Sequence, residues 1–172
     1  MAKAKHYVLT SLTLGLIAAA SGLLIGCTFL LTKKTIETNE TKRIIKGLKE
    51  IYNVDFEKPK KEDLKVKELE YITNYYDLDE GRYAFITNGA NSYGKISLLV
   101  GCTNNEFVGL YVITNEQTYA STLVENYIDP LNKDTTKIDD VSCGATYGAK
   151  LVREMINQAE EASVYVSNLP KE

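Results

Sequence analysis

Tryptophan is absent from this chain of 172 residues, histidine occurs once, and cysteine and proline three times each. Each scarcity excludes a class of function. The lone histidine, His6, leaves no imidazole for acid or base catalysis in any domain that does not contain residue 6. Cys27, Cys102 and Cys143 with one histidine are too few for a zinc site of the usual kind. Three prolines and 11 glycines exclude collagen-like or proline-rich sequence. A basic excess is also missing. Lys plus Arg number 20 against 23 Asp plus Glu, for a net charge of −3, so nothing here provides the basic face of a nucleic-acid binder. With 44% hydrophobic and 25% charged residues the composition is that of a globular chain, and its length allows one ordinary domain.

What is present is a long apolar run. From Tyr7 to Thr32 no residue carries a formal charge, and Leu, Ile, Ala and Gly dominate. A helix over that run is about 39 Å long at 1.5 Å per residue. That spans a hydrocarbon core of about 30 Å with some tilt. A core helix of a soluble protein would carry a polar stripe, and none is seen. The alternative is a cleaved leader, because Leu24-Ile25-Gly26-Cys27 reads as a lipobox that would make Cys27 a lipidated amino terminus. Thr28 to Leu31 continue apolar, however, where a lipoprotein turns polar after its cysteine. The length argument favours an uncleaved, single-pass anchor in the cell membrane. Lys3 and Lys5 precede it, and Lys33, Lys34, Lys42 and Arg43 follow, so charge sets orientation poorly. A short basic tail before a single span usually stays cytoplasmic, which places the remainder outside.

All 23 acidic residues follow residue 32. Three regions are expected: an anchor over 1–32, a juxtamembrane helix and charged connection over 33–68, and a domain over 69–172. Thr35 to Tyr52 reads as a helix continuing from the membrane. Its stripe of Ile36, Ile44, Ile45, Leu48 and Ile51 suits packing against the domain. Asp55 to Glu68 reads as a solvated connection or irregular helix. Strands are expected over Glu70–Tyr76, Arg82–Thr87, Lys95–Cys102 and Phe107–Thr114. Asn88-Gly89 reads as a turn and Thr103-Asn104-Asn105-Glu106 as a hairpin connection. Helices are expected over Tyr119–Ile128, ended by Asp129-Pro130, and over Tyr147–Ala162, with Lys133–Asp140 a polar loop. The fold class is α+β: a meandering antiparallel sheet with packed helices, preceded by one N-terminal transmembrane helix.

The stretch with chemical content is Asp140-Val141-Ser142-Cys143-Gly144-Ala145-Thr146, just before a helix. Small residues bring the backbone close to a neighbour and place Thr146 at the helix start. A helix N-terminus has unpaired amides and partial positive charge, which suits a phosphate. The Thr146 hydroxyl can then be a hydrogen-bond partner or the point of a covalent ester; equally, it can be a helix cap and nothing more. Cys143 lacks a base that would make it a nucleophile. Cys102 reads as a buried strand residue, and a Cys102–Cys143 disulfide is open in an outward compartment. Asp139 and Asp140 are adjacent and are not expected to form a metal site. Lys150 and Arg153 are a phosphate contact or a solvated helix face.

The Asp-x-x-x-Gly-Ala-Thr pattern resembles the flavin-acceptor motif of the FMN-binding domain family. That family includes the G subunit of the Rnf electron-transport complex and the C subunit of the sodium-pumping NADH:quinone reductase. Asp140, Gly144, Ala145 and Thr146 match, and Cys143 stands where Ser or Thr is usual. Thr35-Ile36 and Asn39 resemble the membrane exit of Rnf G subunits. Ser92-Tyr93-Gly94-Lys95-Ile96, Leu98-Leu99-Val100-Gly101 and Phe107-Val108-Gly109-Leu110-Tyr111-Val112 resemble later segments in the right order. Asn115-Glu116-Gln117-Thr118-Tyr119-Ala120 stands where the family has Glu-Thr-Pro-Gly, so Glu116 aligns and the Pro and Gly do not.

The resemblance implies FMN held through its phosphate by an ester to Thr146. Gly144, Ala145, Cys143, Asp140, Tyr147, Tyr93 and Glu116 would surround it, and Tyr119 is a further candidate neighbour of the ring. The cofactor would carry the redox chemistry, which suits a chain poor in acid and base groups. The chain would then be a redox subunit of an ion-translocating complex rather than a self-sufficient enzyme, with a separate flavin transferase making the ester. The competing readings are a surface lipoprotein with this fold, acting as a stand-alone electron carrier or a non-redox binding module, and more remotely a Cys143 hydrolase or transferase.

Overall fold

In a computed structural model the protein is described at residues 2–57, 59–64, 66 and 68–169. Lys58, Lys65 and Lys67 of the charged stretch lie outside the described residues, as do the side chains of Lys3, Lys5 and His6. Contacts divide the chain into two units, Met1–Lys42 and Arg43–Glu172.

The first unit lies within helix α1, Ala2–Tyr52. It has no acidic residue before Glu37, and Leu12, Leu16, Leu23, Ile25 and Phe29 are exposed all round. Apolar side chains on every face are what a lipid-facing helix needs and what an aqueous one avoids. From Ser11 on, α1 is long and apolar enough to cross a membrane.

The second unit is a five-stranded antiparallel meander in the order β1-β2-β3-β4-β5. The strands are β1 Lys61–Asp63, β2 Ile72–Asp77, β3 Arg82–Asn91, β4 Gly94–Thr103 and β5 Glu106–Asn115. After them come α2 Ala120–Leu123, a π turn over Val124–Ile128, α3 Asp129–Lys133, a 3₁₀ turn over Thr135–Asp139, and α4 Thr146–Ser167. The α+β class expected from the sequence is what is seen.

Both faces of the sheet are covered. On one, α4 lays down Ala149, Val152, Met155, Ile156 and Ala159 in a core shared with Phe85, Ile96, Leu98 and Val100. On the other, Ile44 and Leu48 of α1 pack with Tyr76, Leu78, Ala84 and Leu99. This is why β4 is buried without interruption from Leu98 to Cys102 instead of alternating. Burying each such large side chain is worth roughly 1.5–3 kcal/mol. Glycines let α1 approach closely. A Cβ on Gly47 would stand 2.7 Å from Tyr111 Cδ1, and one on Gly101 would stand 2.5 Å from Ile51 Cγ2. The Ile44–Ile51 stripe is therefore a packing face, as expected, whereas Ile36 is exposed.

Four local expectations need correction. Asn88-Gly89 is not a turn, because β3 runs on to Asn91 and turns at Ser92-Tyr93. Gly89 instead serves close packing: a Cβ there would meet Met155 Sδ at 2.8 Å. Asp129-Pro130 does not end a helix, because the helical path continues to Lys133. Proline lacks an N–H and its ring strikes the carbonyl four residues back. The π turn, closed by Asp129 N–H bonding to Val124 O, widens the backbone just there. Lys133–Asp140 contains a 3₁₀ turn rather than an irregular loop. Asp55–Glu68 contains β1, paired with β2 from Lys61↔Tyr76 to Asp63↔Asn74. The hairpin at Thr103–Glu106 is as expected, with Asn104 and Asn105 at φ 53° and 70°.

Candidate functional site

The site forms where the β3–β4 turn, the segment after β5 and the start of α4 meet. Gly94 has φ +133°, and a Cβ on it would lie 2.1 Å from the Glu116 carbonyl oxygen, so only glycine fits. That close approach lets residues 116–118 clip onto the turn. Glu116 N donates to Lys95 O at 2.8 Å, and Thr118 N and Oγ1 donate to Tyr93 O at 2.8 and 3.0 Å. Gln117 Nε2 donates to Gly94 O at 2.5 Å. Asn91 ties the same turn to α4. Its Nδ2 donates to Tyr147 O at 3.2 Å and its Oδ1 accepts from Tyr93 N at 2.8 Å.

These bonds gather three tyrosines. The Tyr93 ring stacks on Tyr147 at 5.3 Å and 26°, and meets Tyr119 at 6.1 Å and 49°. All three stay in solvent, with exposures of 36%, 64% and 53% for Tyr93, Tyr147 and Tyr119. Surface aromatics clustered this way present flat apolar area that ordinary sheet packing would have buried.

Beside them lies a hollow of about 250 Å³, lined by Tyr93, Gln117, Tyr119, Leu123, Gly144, Ala145, Thr146, Tyr147 and Gly148. Gly144, at φ +84°, turns the chain into α4. Ala145 occupies the N-cap position and offers no capping side chain. Thr146 is therefore the first helical residue, not the cap. Its side chain is half-buried in the hollow's wall, and its hydroxyl makes no hydrogen bond among the described residues. The amides of an uncapped first turn carry partial positive charge into this hollow.

Six of the residues expected from the sequence thus line one cavity: Tyr93, Tyr119, Gly144, Ala145, Thr146 and Tyr147. Three others do not line it. Asp140 is exposed in the preceding loop, where its N–H donates to Lys137 O at 3.0 Å. Cys143 packs against the core while its carbonyl accepts from Asn126 Nδ2 at 3.0 Å. Glu116 lines a separate hollow with Lys95, Ser97 and Thr114. Arg153 is turned to Asp139, 3.3 Å away. The three cysteines are free thiols, and no acidic, histidine or cysteine cluster suited to a metal occurs among the described residues. Burial pushes the Cys102 thiol up to about 12, which removes it from thiolate chemistry.

Sequence reasoning missed Gln117, Leu123 and Gly148. Gly148 carried a usable signal, since glycine in a helix costs about 1 kcal/mol against alanine and so marks a close approach. A Cβ there would stand 3.0 Å from Leu123 Cδ2. Gln117 carried none, because only the clip onto Gly94 gives it a place.

Among curated proteins and solved structures nothing matches the chain. A family model described as the RnfG N-terminal region matches residues 1–51, which is most of α1. Over that region the chain resembles the RnfG subunit, whereas the cavity lies outside the match.

Proposed function

We propose that this chain is a membrane-anchored flavoprotein, a G-type subunit of an Rnf-like electron-transport complex, with FMN esterified through its phosphate to Thr146. The observation that carries the reading is the Thr146 hydroxyl. It is accessible and unbonded among the described residues, and it stands on the first residue of an uncapped 22-residue helix beside a tyrosine-rimmed hollow. The RnfG-like N-terminal region supports the assignment independently.

The site suits the group. The first turn of α4 would hold the phosphate, a placement worth about 0.3–1 kcal/mol and up to about 2 kcal/mol when partly buried. Tyr93, Tyr119 and Tyr147 would offer the flat surface a tricyclic ring needs. The hollow's 250 Å³ is below the roughly 300–1,000 Å³ of enclosing ligand sites. It would therefore seat one edge of the ring and leave the other open, as a carrier exchanging electrons with other proteins requires. Bound FMN supplies two-electron uptake and one-electron release. The protein's part is to tether, orient and partly shield it. The ester would be made by a separate flavin transferase, as the resemblance of the Thr146 segment to the flavin-acceptor motif implies. The second unit lies on the extracytoplasmic side, where a covalent tether prevents cofactor loss.

Co-expression with a flavin transferase followed by a denaturing gel tests this. In-gel flavin fluorescence at the chain's position is expected, and its loss in Thr146→Ala. A colourless wild-type band would overturn the reading.

A further inference from the structure

The π turn over Val124–Ile128 that admits Pro130 also grips the segment leading into α4. Asn126 and Tyr127 are consecutive in it, and each holds a different end of that segment. The buried Tyr127 hydroxyl donates to Ile138 O at 2.6 Å, and the exposed Asn126 Nδ2 donates to Cys143 O at 3.0 Å. Arg153 of α4 adds a third hold at Asp139, 3.3 Å away. Residues 140–145 belong to no helix or strand, so these grips are what shape them. The Asn126 bond is the last of the three before Thr146. Beyond it Gly144 turns the chain at φ +84°, and α4 begins with no capping side chain. The first N–H groups of a helix have no partner within it, so an uncapped first turn unwinds easily unless the chain entering it is held. A solvent-exposed hydrogen bond adds little to global stability. The effect of the Asn126 bond is therefore local.

We infer that Asn126 is a positioning residue for flavin attachment, which keeps the first turn of α4 wound and the Thr146 hydroxyl in the hollow's wall by holding the Cys143 carbonyl; this rests on the flavin reading above. In attachment Thr146 Oγ1 bonds to the flavin-side phosphorus of a flavin dinucleotide. The phosphoanhydride P–O bond breaks, a nucleoside monophosphate leaves, and the hydroxyl proton passes to the transferase; nothing is oxidised or reduced. Displacement at phosphorus needs the attacking and leaving oxygens nearly in line. A misplacement of about 1 Å can cost roughly a hundredfold in rate. Asn126 touches neither the hydroxyl nor the donor and acts through the backbone of residues 143–146. Tyr127 shares the grip but is also part of the buried core, so Asn126 is the separable member of the pair.

The test uses the full chain in detergent, purified without a transferase. Two readouts are taken: hydrogen exchange of the bare chain by mass spectrometry, and the rate of mass gain after flavin transferase and a flavin dinucleotide are added. Asn126→Leu, which keeps the size but not the donor, should exchange faster at residues 143–149 and no faster in the sheet. Its attachment rate should fall by roughly ten- to a hundredfold, at a melting temperature close to wild type. Asn126→Asp, also without the donor, should behave alike, and Asn126→Gln, which restores an amide N–H, should recover most of the rate. A purely structural role would instead lower the melting temperature and leave the attachment rate unchanged below it. A wild-type chain that gains no mass would overturn the flavin reading. A loaded wild type matched in rate by Asn126→Leu would overturn the positioning role alone. Equal exchange at residues 143–149 in the bare wild type and Asn126→Leu would overturn it whether or not flavin attaches.

Discussion

At residue 94 the backbone turns with φ +133° while a carbonyl oxygen occupies the space of a Cβ. Gly94→Ala should therefore cost about 2–4 kcal/mol, from backbone strain and overpacking together. Urea unfolding of the detergent-solubilised chain measures it, and a change below 1 kcal/mol would contradict the clip onto Glu116. Cys102 makes a second prediction at this scale. Burial raises its pKa from the ordinary 9.0 to about 12, and burial likewise raises Tyr75 and Tyr127 to about 12. A raised folded value favours the neutral form in the fold. That contribution is complete below the ordinary thiol and phenol values and is lost as pH climbs through the folded ones. Melting temperature should accordingly fall between about pH 9 and 12. A soluble thiol reagent at neutral pH should label Cys143 and spare Cys102 until the chain unfolds.

Among the elements, α1 and α4 divide the work of covering the sheet. The end of α1 is fixed by Tyr52, whose hydroxyl donates to Tyr83 O and also lies 3.1 Å from Cys102 O. Burial holds that phenol well above its usual pKa. Tyr52→Phe removes a part-buried hydroxyl bond that supplements the β3–β4 ladder at Tyr83 and Cys102 and should destabilise the second unit by about 0.5–1.5 kcal/mol. A shift in the urea midpoint at unchanged slope reports it; no shift would mean that α1 is held by apolar packing alone. The same elements show what the sequence could and could not convey. The stripe on α4, the strand over β5 and the Asn104-Asn105 hairpin are local patterns, and they were readable. Gly89 was misread because a close-packed glycine and a turn glycine look alike until Met155 is placed against one of them. Pro130 was misread because the π turn that accommodates it has no residue signature. The tyrosines and Thr146 could be named individually, but their meeting depends on the clip between residues 93–95 and 116–118, which is long-range. Gln117 was invisible for that reason.

For the whole molecule, an apolar helix leads into an α+β unit that carries a tyrosine-rimmed cavity with a threonine in its wall. The apolar span should keep the chain in the membrane fraction through high-salt and carbonate washes. Release by either wash would contradict an uncleaved anchor. The central claim is the bond at residue 146, and intact-mass measurement of the chain purified with and without a flavin transferase tests it most directly. The account predicts a mass increase of one esterified FMN only with the transferase, mapped by fragmentation to Thr146, absent in Thr146→Ala and kept in Thr146→Ser. A bare polypeptide mass in both preparations, or flavin mapped to any other residue, would contradict it.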